Sequence, residues 1–149
     1  MYLYFFRNHS LLNNTINFFT RGKYSHVSIL SSNGYFYEAD IKYGVRKVKK
    51  EDYLVENKNS LFDIKKLTAS EWQESQIIEF LEKQVGKKYD IAMVIGFVIH
   101  STRESRKSYG KWFCSELLVA GIEKGGIKLF NTEPWKISPE ILSWSTLLN

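Results

Sequence analysis

Apolar and polar positions change period along this chain, and the changes mark its elements. "YLYFF", Tyr2 to Phe6, is a dense aromatic run that predicts a first strand. Residues 8–20 follow as a short helix or irregular connection. "YSHVSIL" alternates with period two, which sets Tyr24, His26, Ser28 and Leu30 on one face and Ser25, Val27 and Ile29 on the other. "SSNG" supplies a turn, "YFYEAD" a second strand of the hairpin, and Val45 to Val48 a further strand beyond the bend at Lys42 to Gly44. "SLFDIKKL" reads as another strand. The period then becomes helical. Ser70 is placed to cap a helix carrying Ile77, Ile78, Leu81 and Val85 on one side and ending near Gly86. Tyr89 to His100 predicts a buried helix, Ser101 to Lys111 a polar loop, and Cys114 onward a helix stopped by Gly125 and Gly126. Ser138, Pro139 and Glu140 start a closing helix with an N-cap, an N1 proline and an early acid.

With 149 residues, no internal repeat and no linker-like tract, the pattern predicts a single domain over 1–149 able to bury a core without disulfides or metal. Hydrophobic residues make up 44% and charged residues 25%, ordinary for a soluble globular chain, while 15% aromatic residues predict dense packing. "IAMVIGFVIH" is the most apolar stretch. At about ten residues it is half of what a membrane-spanning helix needs. The N-terminus lacks the basic leader and cleavage site of a signal peptide, so a cytoplasmic location is expected.

The net charge of +5 favours anionic partners such as an anionic lipid or wall polymer, but it is modest, and a solvated basic face accounts for it without specific nucleic-acid binding. One basic cluster, Lys42, Arg46, Lys47, Lys49 and Lys50, runs straight into Glu51 and Asp52. A second, Arg103, Arg106, Lys107 and Lys111, precedes Cys114 and is placed to gate a site there.

Cys114 is the chain's one cysteine, so it forms no internal disulfide. In the first turn of a helix a sulfur faces unpaired N–H groups and the positive end of the helix dipole, the setting a nucleophile needs. The competing account is a small hydrophobe packed beneath Trp112 and Phe113. A nucleophilic sulfur also needs a base, and there are three histidines. His100 falls at a helix C-terminus, where a structural role suffices, and His9 has no evident partner. His26 lies inside a strand that would hold its ring rigidly.

A third group should accept the other imidazole N–H. With an odd hairpin loop, Ser32, Asn33 and Gly34 with Gly34 left-handed, His26 falls opposite Asp40 and Glu38 becomes its diagonal neighbour on the same face. An even loop turns both carboxylates away. Asp40 stays as a competing orienter. Cys114, His26 and Glu38 match no dedicated metal spacing, and no metal is expected.

In their order and settings, "YSHVSIL", "YEAD", "GKKYDIA" and "KWFCSELL" resemble the circularly permuted NlpC-type papain-like hydrolases, the YiiX/YaeF-like branch, over roughly residues 24–141. That resemblance implies an α+β fold: a small antiparallel sheet, curled toward a barrel, packed with helices. It implies Cys114 as nucleophile, His26 as base and Glu38 as orienter, with Tyr89 and Asp90 matching a site-shaping Tyr-Asp pair. Tyr24, Tyr89 and Trp112 are expected to contact substrate. The activity implied is a thiol hydrolase of the amidase or peptidase type, working through an acyl-enzyme without an organic cofactor. A phospholipid acyl hydrolase or acyltransferase of the lecithin:retinol acyltransferase-like kind, or a non-catalytic binding or structural protein retaining the fold, are the rivals. Substrates would thus be peptides, cell-wall fragments or lipid acyl groups.

Overall fold

Aromatic and β-branched runs separated by short turns form a sheet. The computed structural model describes residues 1–7, 22–91 and 110–149. Strands β1 (Tyr2–Phe6), β2 (His26–Leu30), β3 (Tyr35–Asp40), β4 (Gly44–Lys49) and β5 (Phe62–Lys66) form one antiparallel sheet in the order β4-β3-β2-β1-β5. Helix α1 (Lys50–Glu56) lies between β4 and β5 in sequence, and α2 (Glu71–Glu82) follows β5. Two-residue strands β6 (Lys88–Tyr89) and β7 (Lys111–Trp112) pair in parallel. Helices α3 (Cys114–Lys124) and α4 (Pro139–Ser143) complete an α+β fold in which the antiparallel sheet packs against helices, as the family resemblance implies. The expected connection over 8–20, the apolar helix beyond Ile91, and the basic loop up to residue 109 lie outside the described residues, as do His9 and His100.

Period two divides the core between the two faces of the sheet. Leu3, Phe5, Val27, Ile29, Tyr37, Ala39 and Val45 pack with Ile77 and Leu81 of α2 and Leu117, Leu118 and Ile122 of α3. Tyr4, Phe6, Leu30 and Phe36 face the other way and pack with Tyr53 of α1. Helix α1 has no helical period in the sequence, where its residues continue the charged run from Lys47 to Asp52. Its N-cap, Lys49, makes no side-chain cap, and the helix is held by burial of Tyr53. Helix α2 has the full capping box of Ser70 and Gln73 but ends at Glu82, which leaves Val85 exposed beyond it. Tyr89 stands in a strand rather than opening a helix, because Lys88–Tyr89 pairs with Lys111–Trp112. Alternation in "YSHVSIL" also starts later than predicted. β2 begins at His26, and Tyr24 turns into the core against Phe5, with ring centroids 5.3 Å apart.

Both hairpins that shape the site have three-residue turns. Leu30 pairs with Phe36, the Ser31 N–H donates to the Tyr35 carbonyl, and Ser32, Asn33 and Gly34 close the loop with Gly34 at φ 82°. This is the odd register. In the next hairpin Asp40 pairs with Gly44, so Glu38 falls directly opposite Arg46. Gly44 has φ 72°, and a Cβ there would collide with the Lys87 carbonyl oxygen, where the chain leading to Tyr89 passes against β4. Gly44→Ala should therefore destabilise the fold by about 2 kcal/mol or more, since it adds a backbone clash to a left-handed conformation. Chemical denaturation of the variant checks this, and a change under about 0.5 kcal/mol would contradict it.

Candidate active site

Four elements converge on one imidazole. His26 is the first residue of β2, Glu38 comes from β3, Arg46 from β4 and Tyr53 from α1, while Cys114 stands at the start of α3. The ring of His26 lies on the α1 side of the sheet, 5.6 Å from that of Phe6. Its place at the end of its strand lets a helix packed on the opposite face reach it. The Cys114 side chain lies close enough to the imidazole and to Tyr89 to act on both.

The Glu38 carboxylate is fully buried, and its oxygens are well satisfied. Oε2 lies 2.6 Å from His26 Nε2 and accepts from the Tyr53 hydroxyl at 2.6 Å, and Oε1 accepts from Arg46 Nε at 2.7 Å. Burial pushes this carboxyl up, but the hydrogen bond and charge of His26, the charge of Arg46 and the Tyr53 hydroxyl outweigh it and lower it to about 2. His26 moves the opposite way. Burial pushes it down, and hydrogen bonds to Cys114 and Glu38 with the Glu38 charge outweigh that and raise it to about 10. Both shifts favour an imidazolium held by a carboxylate. An ionised Glu38 accepts, so Nε2 carries a proton, and Nδ1 is the nitrogen left for the sulfur. Burial first, and then the Glu38 charge, push the Tyr53 hydroxyl well above its ordinary range. It keeps its proton and donates. Burial, reinforced by negative charge around it, does the same for Tyr89.

Asp40 Oδ1 accepts backbone N–H groups of Lys42 and Tyr43, at 2.8 and 3.1 Å, and so shapes the β3–β4 turn, whereas Glu38 contacts His26. Cys114 is buried at 3% exposure, and α3 begins with it as the residue after the N-cap Phe113, which has no side-chain acceptor to offer the first turn. Ser115 Oγ donates to the Ile137 carbonyl at 2.6 Å and so ties the helix start to the segment before α4. Of the three residues expected to contact substrate, Tyr89 is at the sulfur. Tyr24 instead donates to Asp63 Oδ2 at 2.5 Å, in a cluster with Arg7 and Lys23. Trp112 Nε1 donates to Gln84 Oε1 at 3.1 Å while its ring meets Phe80 edge-on.

The sequence reading missed two residues here. Arg46 was legible from the register, since a three-residue turn over 41–43 puts it opposite Glu38. Tyr53 left no local signal, because its partner is fifteen residues away across a helix–sheet contact.

No protein-family model matches this chain, and no curated protein matches it. Solved structures do. One is the crystal structure of metalloprotein yiiX from Escherichia coli O157:H7, with a TM-score of 0.72 and 15% sequence identity over 99% of this chain and 93% of that one. At that identity the likeness shows the fold, which is YiiX-like. No helix among the described residues is long and apolar enough to cross a membrane.

Proposed function

We propose that this protein is a cysteine-dependent hydrolase of the permuted NlpC-type papain-like kind, with Cys114 as nucleophile, His26 as base and Glu38 as orienter. One observation carries the reading: a buried cysteine at a helix start lies within reach of an imidazole whose other nitrogen is held by a buried carboxylate. The Cys114 sulfur attacks a substrate carbonyl, a C–S bond forms, and the carbonyl pair moves onto oxygen. The Cys114 backbone N–H, at the α3 N-terminus, helps hold that oxyanion. As the tetrahedral adduct collapses, the proton on His26 Nδ1 passes to the leaving nitrogen and the C–N bond breaks, leaving a thioester. Water then gives a proton back to Nδ1 as it attacks the thioester, and the C–S bond breaks to release the acid and return the Cys114 thiolate beside the imidazolium.

The YiiX neighbour is described as a metalloprotein. The residues here do not fit a metal: no cluster of three or more His, Cys, Asp or Glu among the described residues is arranged to hold one. The Glu38 oxygens are already spent on His26, Tyr53 and Arg46.

Amide or peptide bonds are the favoured substrates over lipid esters, because the segment before Cys114, "STRESRKSYGK", is charged where an interfacial lipid enzyme presents an apolar or amphipathic element. A cytoplasmic setting goes with this reading. Incubation with peptidoglycan peptides and, separately, with mixed phospholipid vesicles, each beside Cys114→Ala, should give peptide cleavage that depends on Cys114. Cys114-dependent release of fatty acid or lysolipid with the peptides intact would make the lipid reading primary.

A further inference from the structure

Helix α1 places a phenol where packing needs none. Tyr53 is fully buried, stacked on Phe36 with centroids 4.1 Å apart and meeting Phe6 at 6.1 Å, contacts a phenylalanine would make equally well. Its hydroxyl is the difference, and it donates to Oε2 of Glu38, the oxygen that His26 also contacts. Arg46 completes the grip from the other side. Its Nε donates to Oε1, while Nη2 pairs with Glu56 at 2.9 Å and the guanidinium lies 4.5 Å from the Tyr43 ring centroid, so its fork is fixed at its far end.

We propose that Tyr53 and Arg46 are positioning residues for His26: by occupying the Glu38 carboxylate in the directions that the imidazole does not use, they fix where it points and limit how strongly it holds Nε2. The inference deepens the hydrolase reading and rests on it for its purpose. A carboxylate end turns freely about its last torsion, which has no sharp staggered wells. With three of about four acceptor directions filled by donors from β2, β4 and α1, that rotation is closed. The imidazole is then aimed with Nδ1 at Cys114. The donors also share out the negative charge, since each one that Glu38 accepts weakens its pull on the next.

The groups around the pair set the sign of the test. Glu38 and its donors His26, Arg46 and Tyr53 form the cluster, Glu56 lies behind Arg46, and Cys114 acts on the imidazole and on Tyr89, which also feels the charges of Asp40 and Asp90. Removing a donor from Glu38 raises the proton affinity of the Glu38–His26 pair, whichever of the two then holds the proton.

The experiment follows His26 in the full chain by NMR with 15N-labelled histidine, as a function of pH, for the unmodified protein, Tyr53→Phe, Arg46→Met and Arg46→Lys. Tyr53→Phe and Arg46→Met should each move the loss of the pair's proton upward by about one pH unit, the size supported by one charge-assisted hydrogen bond. Arg46→Lys, which keeps the charge, should recover part of the shift. A merely structural role would leave the imidazole titration where it is. Folded Tyr53→Phe and Arg46→Met variants with titrations superimposable on the unmodified protein would overturn the proposal. If Tyr53→Phe does not fold, Arg46→Met decides alone. Absence of Cys114-dependent turnover in the unmodified chain would overturn the hydrolase reading without altering these titrations, so the two fail separately.

Discussion

Cys114→Ala is expected to abolish hydrolysis, and His26→Ala to lower kcat/KM by a factor on the order of 10³ to 10⁶, with the fold retained in both. The size follows from what each group does in the proposed reaction. Without the sulfur there is no atom to form the acyl-enzyme, and what remains is a helix terminus that binds an oxyanion with nothing to create it. Without the imidazole, nothing delivers a proton to the leaving amine or takes one from water, and both half-reactions stall. Losses at the two positions should not add, since nucleophile and base act as one unit. Iodoacetamide gives an independent readout, because alkylation of Cys114 at neutral pH should slow markedly in His26→Ala. Equal alkylation rates with and without His26, together with no turnover of amide or ester substrates, would favour the non-catalytic binding protein over the enzyme.

Cys114 was visible because a helix start is written locally, in the polar-to-periodic change at "KWFCSELL" and the glycines that end the helix. The Glu38 contact with His26 was legible only as a condition, an odd hairpin loop, with Asp40 as a competitor, since the period-two geometry of a hairpin carries turn length into side-chain facing. Tyr24 went wrong for a matching reason. Alternation predicts faces only inside a strand, and β2 starts at His26, two residues after the point where the pattern begins. Tyr53 and helix α1 stayed hidden because their stability is tertiary. A seven-residue helix with no side-chain cap has little intrinsic preference to read, and it is fixed by one aromatic ring buried against the sheet.

The buried pair should dominate stability as well as chemistry, and Glu38→Ala is expected to cost about 3–5 kcal/mol, the cost of stripping one partner from a buried ionic cluster. His26 Nε2, the Tyr53 hydroxyl and Arg46 Nε would all lose their acceptor in a space that water does not reach. The pH dependence has a definite shape. His26 is raised from 6.5 to about 10, so its contribution is complete below about pH 6.5 and drains away as pH rises through about 10. Glu38 is lowered from 4.5 to about 2, so its contribution is complete above about pH 4.5 and is lost as pH falls through about 2. The two overlap between about pH 4.5 and 6.5, which places the stability maximum on the acid side of neutrality. Glu38→Gln keeps the shape of the side chain and removes the charge, so it should flatten the alkaline fall between pH 6.5 and 10. Part of the acid fall should remain in that variant, because Asp63 is also held well below the usual carboxylate range, by Arg7 first and then by Tyr24 and Lys23. Urea unfolding at a series of pH values measures all of this. A Glu38→Ala protein within about 1 kcal/mol of the unmodified chain, or a Glu38→Gln curve that still falls as steeply above pH 6.5, would show that the carboxylate does not hold the imidazolium.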